Sequence, residues 1–355
     1  MTNARSIVVM TPVKNDDWIL ERFLAVTSTF ADHIIIADQG SIDKSRAICA
    51  DYPKVTLIEN PSDEYDEASR QSLLIDKARA VVPGGRILLA LDADEILAAD
   101  ARDKPGWNAM MAAAPGTVLL FEKPDLLSGL ERCIRYDRPF PLGYVDDGAE
   151  HKAKKIHSPR VPMPEDASRL AISDVKVLHY ALTRATGQAA KHRRYSVLEH
   201  LMQKGTFIGR RFAYASNRDY TQGHRVEECP NAWFERWEMQ GIDMRSIKES
   251  RYYWQDFDVL RTFERYGTRK FWLENIWDQD WEACRLVAAS GGVQGIPTER
   301  IEKPPRLMTS ILKLVDRIYA VSLRLRRLWH RMRTRAGSRS DTRVLDMVVQ
   351  QGNAK

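Results

Sequence analysis

Three carboxylates fall within four residues, at Asp92, Asp94 and Glu95, directly after the apolar run 87–91. Adjacent carboxylates repel one another unless a cation neutralises them. Hard oxygen ligands of this kind suit Mg²⁺ or Mn²⁺, and such an ion commonly completes its shell with substrate phosphates and water. An isolated Asp-x-Asp is common by chance and also reads as a solvated acidic turn. What moves the reading toward a site is the element before it. A short apolar run without alternation is the pattern of a strand covered on both faces, and Pro83-Gly84-Gly85 supplies the turn that starts it. Ligands of open α/β sheets bind beyond the carboxyl ends of the strands, where these acids fall.

The elements that must hold such a strand are also legible. Residues 6–12 read as a first buried strand, 33–38 as a second that ends in Asp38, and 54–59 as a third. Helices are expected after residue 17, over 44–51 and over 66–82, with Asn15 or Asp16 as a cap and Gly40 in a tight turn. Strands alternating with helices predict a parallel sheet of right-handed βαβ units. The 355 residues suffice for a large α/β domain plus a second module, and 44% hydrophobic with 29% charged residues is ordinary for a globular chain. Much of the net charge of +6 lies in the last fifty residues. Four scattered cysteines without a Cys-x-x-Cys pair argue against a zinc knuckle or a disulfide framework. With neither a membrane-spanning run nor a signal peptide, a cytoplasmic location is expected, with the inner membrane face as a peripheral site.

The order strand-Pro-x-x-Asn (Pro12, Asn15), strand-Asp-x-Gly-Ser-x-Asp (Asp38 to Asp43), Ala68-Ser69-Arg70-Gln71 and strand-Asp-x-Asp resembles a family 2 glycosyltransferase of the GT-A fold over residues 5–100. Two positions depart from the family pattern: Asp38-Gln39 replaces the usual acidic pair, and Arg70-Gln71 the familiar Arg-Asn. The resemblance implies a GT-A-like, Rossmann-type, mostly parallel sheet flanked by helices, with a C-terminal helical region beyond it. It also implies a nucleotide-diphospho-sugar donor of UDP or GDP type, a saccharide or lipid-linked acceptor, and Mn²⁺ or Mg²⁺. Thr11, Pro12 and Asn15 would line the base, Asp38 would face the base or ribose, and Arg70 would lie near the diphosphate or orient the acidic motif. Asp92 would contact ribose or sugar, and Asp94 would ligate the metal. For Asp38 and Asp43 the competing reading is a helix cap, for Arg70 a surface ion pair.

An inverting member needs an acceptor-side carboxylate base. Within the polar stretch 128–169, Asp146, Asp147, Glu150, Glu165 and Asp166 qualify by type, and Asp147 and Glu150 are taken as the expectation. His151 and His157 lack a third metal ligand nearby. A strand over 175–182 carries His179, which by resemblance would complete the metal site, with Lys191 and Arg193 on the next helix as diphosphate contacts; the competing readings are a core histidine and a solvated basic face. The aromatics between Trp233 and Trp281 could stack on a sugar, but Trp233/Trp237 and Trp277/Trp281 have the spacing of helix packing. The division expected is a transferase domain over 1–205 (nucleotide-sugar half 1–100, acceptor half 101–205), a helical aromatic region 206–289, a linker 290–305, a basic amphipathic helix 306–335 and a disordered tail 336–355. That helix has the composition of an anionic membrane-binding segment, with subunit packing as the alternative and no nucleic acid expected. The reaction expected is glycosyl transfer in cell-surface polysaccharide or lipopolysaccharide synthesis. The rivals are a Mg²⁺-dependent nucleotidyltransferase, whose glycine-rich basic loop is missing at residues 13–16, and a non-catalytic nucleotide- or saccharide-binding module.

Overall fold

The computed structural model describes residues 5–60, 66–152, 158–215 and 219–322. Strands β1 (Ser6–Val13), β2 (His33–Asp38), β3 (Val55–Glu59) and β4 (Arg86–Ala90) pair in parallel in the order β3-β2-β1-β4. Helices α1 (Leu20–Thr27), α2 (Ser45–Ala50) and α3 (Glu67–Val81) connect them. The unbroken apolar runs have the expected cause. Ile7, Val9, Ile34, Ile36, Ile87 and Leu89 join one core with Leu20, Phe23 and Leu24 of α1. Their neighbours Val8, Met10, Ile35, Ala37, Leu88 and Ala90 join a second core with Leu74, Ile75 and Ala78 of α3. Successive side chains point to opposite faces, and both faces are dry.

Beyond β4 the sheet becomes mixed. Helix α4 (Pro105–Ala112) lies between β5 (Glu95–Leu97) and β6 (Val118–Glu122) in the chain. The short strands β7 (Asp125–Leu126) and β8 (Arg132–Arg135) follow, and then β9 (Phe140–Asp146), which inserts antiparallel between β4 and β6. Gly143 allows that insertion, because a Cβ there would lie 2.9 Å from Leu89 Cδ2 and 3.0 Å from Leu119 Cδ1. Strand β10 (Arg169–His179) runs parallel to β6, shifts register between Ile172 and Lys176, and ends antiparallel to β5. Strand β11 (Arg225–Glu228) pairs with β8 at the sheet edge. The architecture is therefore a mostly parallel mixed sheet flanked by helices, with helices at the C-terminal end.

The chain forms two compact units. One compact unit takes residues 1–188 and 219–251, and the other takes 189–218 and 252–355. Segment 219–251 rejoins the sheet unit through backbone polar groups that a helical reading of the sequence did not foresee. Trp237 Nε1 donates to the Leu97 carbonyl at 2.9 Å, and Ala99 N–H donates to the Trp233 carbonyl at 2.8 Å. Trp237 sits on α7 (Glu235–Met239), and both tryptophans are buried.

The second unit contains most of α5 (Ala185–Leu201), with α6 (Phe207–Ala213), α8 (Trp254–Tyr266), α9 (Trp281–Ser290) and a helix over residues 306–322. Trp281 is fully buried there, and Trp277 stacks on Phe263 with the ring planes 4° apart. These rings pack a core. The expected linker 290–305 is likewise packed: Ile301 belongs to this core and its N–H donates to Glu282 at 3.0 Å. The predicted helix beyond 322 and the tail lie outside the described residues.

Candidate functional site

The acids following β4 lie at the carboxyl edge of the parallel strands, held by a tight local turn. Glu95 N–H donates to the Asp92 carbonyl at 2.9 Å, and Asp92 N–H donates back to Glu95 Oε2 at 3.1 Å. The pairing of β5 with the end of β10 puts His179 opposite Glu95, and Tyr180 N–H donates to the Asp94 carbonyl at 2.8 Å. This register closes an 85-residue gap in sequence and brings His179 Nε2 to 3.7 Å from Asp94 Oδ2.

His179 is oriented from behind. Its Nδ1 lies 2.6 Å from Asp125 Oδ1, and the Tyr136 hydroxyl donates to the other Asp125 oxygen. Burial acts to raise the Asp125 carboxyl, but His179 and Tyr136 together hold it below its ordinary range. An ionised carboxylate can only accept, so Nδ1 is the donor to Asp125, and in the neutral imidazole that leaves Nε2 as the lone pair facing Asp94. Two ligands each about 2.1 Å from one ion stand about 3–4 Å apart, so this donor pair fits a divalent cation. Among the described residues no cluster of three or more His, Cys, Asp or Glu side chains could hold a metal. A two-ligand site suits an ion that takes its remaining oxygens from phosphate and water.

Glu95 is fully buried and has a different task. It accepts from Lys123 Nζ at 2.7 Å and from Arg160 Nη1, while Arg160 Nη2 reaches Asp92 Oδ2 at 2.6 Å. Burial pushes the Glu95 carboxyl up, and Arg160, Lys123 and His179 outweigh it, so the group lies far below its ordinary range. Burial lowers the Arg160 guanidinium, yet Asp92, Glu95 and Asp94 raise it well above its usual value. Lys123, Asp125 and Arg160 were all missed in sequence. Asp125 had no motif around it, and Arg160 lies 68 residues from Asp92, on a loop that returns to this edge where Ser158 N–H donates to Glu67 at the start of α3.

The comparisons with known proteins can be set beside this geometry. No family model matches the chain, and no curated protein matches it. Solved structures overlap part of it. Glucosyl-3-phosphoglycerate synthase from Mycobacterium tuberculosis, in complex with Mn²⁺, UDP and glucosyl-3-phosphoglycerate, is 17% identical over 34% of this chain and 44% of its own, with a TM-score of 0.25. The same enzyme with Mg²⁺ and UDP is 18% identical over the same shares, also at 0.25. A 4-diphosphocytidyl-2C-methyl-D-erythritol synthase is 14% identical over 40% of this chain and 74% of its own, at 0.28. The match thus spans less than half the length of the mycobacterial enzyme, and the likeness is one of partial architecture.

The residues expected around a nucleotide take mixed positions. Asn15 has φ 54°, a left-handed conformation that asparagine tolerates. Its Oδ1 accepts from Ile42 N–H at 2.8 Å and its N–H donates to Ser41 Oγ at 2.9 Å, which ties the β1–α1 loop to the β2–α2 loop. Thr11 is buried with its hydroxyl unpaired among the described residues, and Pro12 follows on β1. Asp38 is 1% exposed and committed internally, accepting from Ser41 N–H and from Arg46 Nη1 at 2.9 Å. Asp43 accepts from Ser45 N–H at 2.9 Å and from Asp17 N–H at 3.0 Å, while α2 starts from Lys44 without a side-chain cap. Arg70 Nη1 reaches Gln39 at 3.3 Å, while its buried Nε is unpaired among the described residues.

Asp16, next to Asn15, has its carboxyl pushed up to about 7 by burial, opposed by the Lys14 N–H and reinforced by Asp94. A group that binds its proton more tightly when folded lends stability below its unfolded value of 3.8, and loses it as pH rises through about 7. Asp16→Asn is therefore expected to raise the melting temperature near pH 8 by a few degrees and leave it unchanged near pH 4, as read by thermal melts across pH.

The topology places both expected base residues at the opposite, amino-terminal edge of the strands. Because β9 is antiparallel to β4, Asp146 pairs with Arg86 at the start of β4, and Asp147 follows it there. With about 3.3 Å per strand residue, that edge lies about 20 Å from Asp92. Asp146 is taken up by Arg79 and Arg86, and Asp147 accepts from the Tyr144 hydroxyl at 2.6 Å and from Ala149 N–H. Glu150, Glu165 and Asp166 line an open depression with Ala149, Lys152 and Pro164, and Ser168, just after them, accepts at the start of β6, again the amino-terminal edge. Nor does Arg193 keep a free charge: it is 5% exposed in the helical unit and donates to the buried Asp256 at 2.8 Å. Lys191 lies in the same unit on α5, half-buried. His157 falls outside the described residues, so the His151 pair cannot be built.

Proposed function

We propose that the protein is a divalent-metal-dependent glycosyltransferase that moves a sugar from a UDP- or GDP-linked donor to a saccharide or lipid-linked acceptor, with inversion, in cell-surface polysaccharide or lipopolysaccharide synthesis. The observation that carries the reading is Asp94 beside His179, with Asp125 fixing the imidazole, at the ligand-binding edge of the sheet. Asp94 and His179 would hold Mn²⁺ or Mg²⁺, and such an ion neutralises the charge that develops on a departing diphosphate. Arg160 and Lys123 provide fixed positive charge at the same edge, and Glu95 holds both cations in place before any substrate arrives. Asp92 shares Arg160 and remains 37% exposed, open to a ribose or sugar hydroxyl. The β1–α1 loop with Thr11, Pro12 and Asn15 is proposed to line the base. Asp38 and Arg193 are not carried forward as donor contacts, because their charges are satisfied within the fold.

The mycobacterial synthase structures, which contain Mn²⁺ or Mg²⁺ with UDP, accord with this proposal. A nucleotidyltransferase remains the second reading on the shared use of strand-end carboxylates. The test is a thermal melt with Mn²⁺ and a panel of nucleoside diphosphates. UDP or GDP at a hundredfold excess over its dissociation constant is expected to stabilise the protein by about 2.7 kcal/mol, and only with metal present. No stabilisation by any nucleoside diphosphate would remove the transferase reading.

A further inference from the structure

Helix 306–322 of the second unit has two unlike faces. One is docked: Arg211 of α6 makes a bidentate pair with Asp316 at 2.9 and 2.7 Å, Phe212 meets Tyr319 edge-on with ring centroids 5.3 Å apart, and Leu312 is 7% exposed. The other bears Leu307, Ile311, Leu314, Ile318 and Val321, each between 53 and 74% exposed. Steps of four and three residues keep these five side chains on one stripe of the helix. Large apolar side chains contiguous on a surface mark an interaction site.

Charge identifies the occupant. Asp316 is the sole acidic residue between 306 and 340, and its carboxylate is already committed to Arg211. From 317 to 340 the sequence carries eight arginines and no acid, while Leu325, Leu328 and Met332 continue the four-three spacing. A second copy of this helix could match the apolar stripe, but it would bring arginine against arginine with no carboxylate between them. A nucleic acid would meet the charge and leave the apolar stripe in water. An anionic lipid surface meets both, because acyl chains accept the stripe and headgroups accept the arginines.

We infer that this face of helix 306–322 docks the protein on an anionic membrane surface. The inference is independent of the transferase reading. Among the described residues no helix is long and apolar enough to cross a membrane, so the contact is interfacial. The experiment is co-sedimentation of the full chain with phosphatidylcholine vesicles, with or without phosphatidylglycerol, at low and high salt. Binding is expected to require the anionic lipid and to weaken with salt. In the triple variant Ile311→Asp, Leu314→Asp, Ile318→Asp, binding should fall roughly a hundredfold. All three positions are exposed, and unchanged circular dichroism and melting would show that the fold is kept. Equal binding of parent and variant to anionic vesicles would overturn the inference. So would self-association of the parent, lost in the variant, without vesicle binding.

Discussion

Asp94→Asn is expected to abolish metal-stimulated turnover, lowering it by roughly 10²–10⁴-fold, while leaving the fold and melting temperature nearly unchanged. The carboxylate is 22% exposed, and apart from His179 no ion-pair partner is seen for it among the described residues, so removing its charge exposes no buried cation. His179→Ala should lose metal-stimulated turnover likewise, with some loss of stability because Asp125 loses its partner. Asp125→Asn is the more discriminating variant. It keeps the shape but no longer demands a proton on Nδ1, so His179 can present N–H rather than its lone pair toward Asp94. Mn²⁺ affinity, measured by calorimetry without substrate, should then fall about 10–100-fold. An Asp125→Asn protein with parental Mn²⁺ affinity would remove the metal assignment from His179, whatever its activity.

Glu95→Gln is expected to do the opposite: it should cost stability first and activity in consequence. Glu95 is fully buried between Lys123 and Arg160, and breaking a buried ionic cluster by removing one partner typically costs about 3–5 kcal/mol. The sign with pH follows from the depressed carboxyl. Its contribution is complete above the ordinary value of 4.5 and is lost as pH falls below it toward the folded-state value. The parent should therefore lose stability on acidification below about pH 4.5 more steeply than Glu95→Gln, whose denaturation midpoint should be flatter in that range. Equal midpoints for the two proteins at neutral pH would show that the cluster contributes no net stability.

The acidic edge was legible because it is local. An apolar run predicts a doubly covered strand, and the residue after such a strand is placed by the sheet, so Asp92 and Asp94 could be located from their own neighbourhood. His179 was legible through resemblance, but what brings it to Asp94 is a three-residue strand, Glu95–Leu97, too short to announce itself in sequence. The edge that Asp147 and Glu150 occupy was not legible. Chain order puts them within the acceptor half, whereas the direction of β9 decides their edge, and an antiparallel strand inside a parallel sheet leaves no periodicity to show it. Strand β2 ends in the acid Asp38 at the expected edge, yet Arg46, eight residues later, pairs with it. Arg160, Lys123 and Asp125 illustrate the general limit: a lone charged residue in a polar loop is silent until its partner is known.

The pairing of β5 with β10 also has a consequence in time. Asp94 is made 85 residues before His179, so for that stretch of synthesis the chain holds one half of the proposed cation site and lacks the other. Long-range pairings of this kind form late, because loop closure must precede them. On the proposed assignment, a fragment that ends before β10 cannot gain two-ligand cation affinity, and the appearance of that affinity would mark the moment at which β5 and β10 have paired.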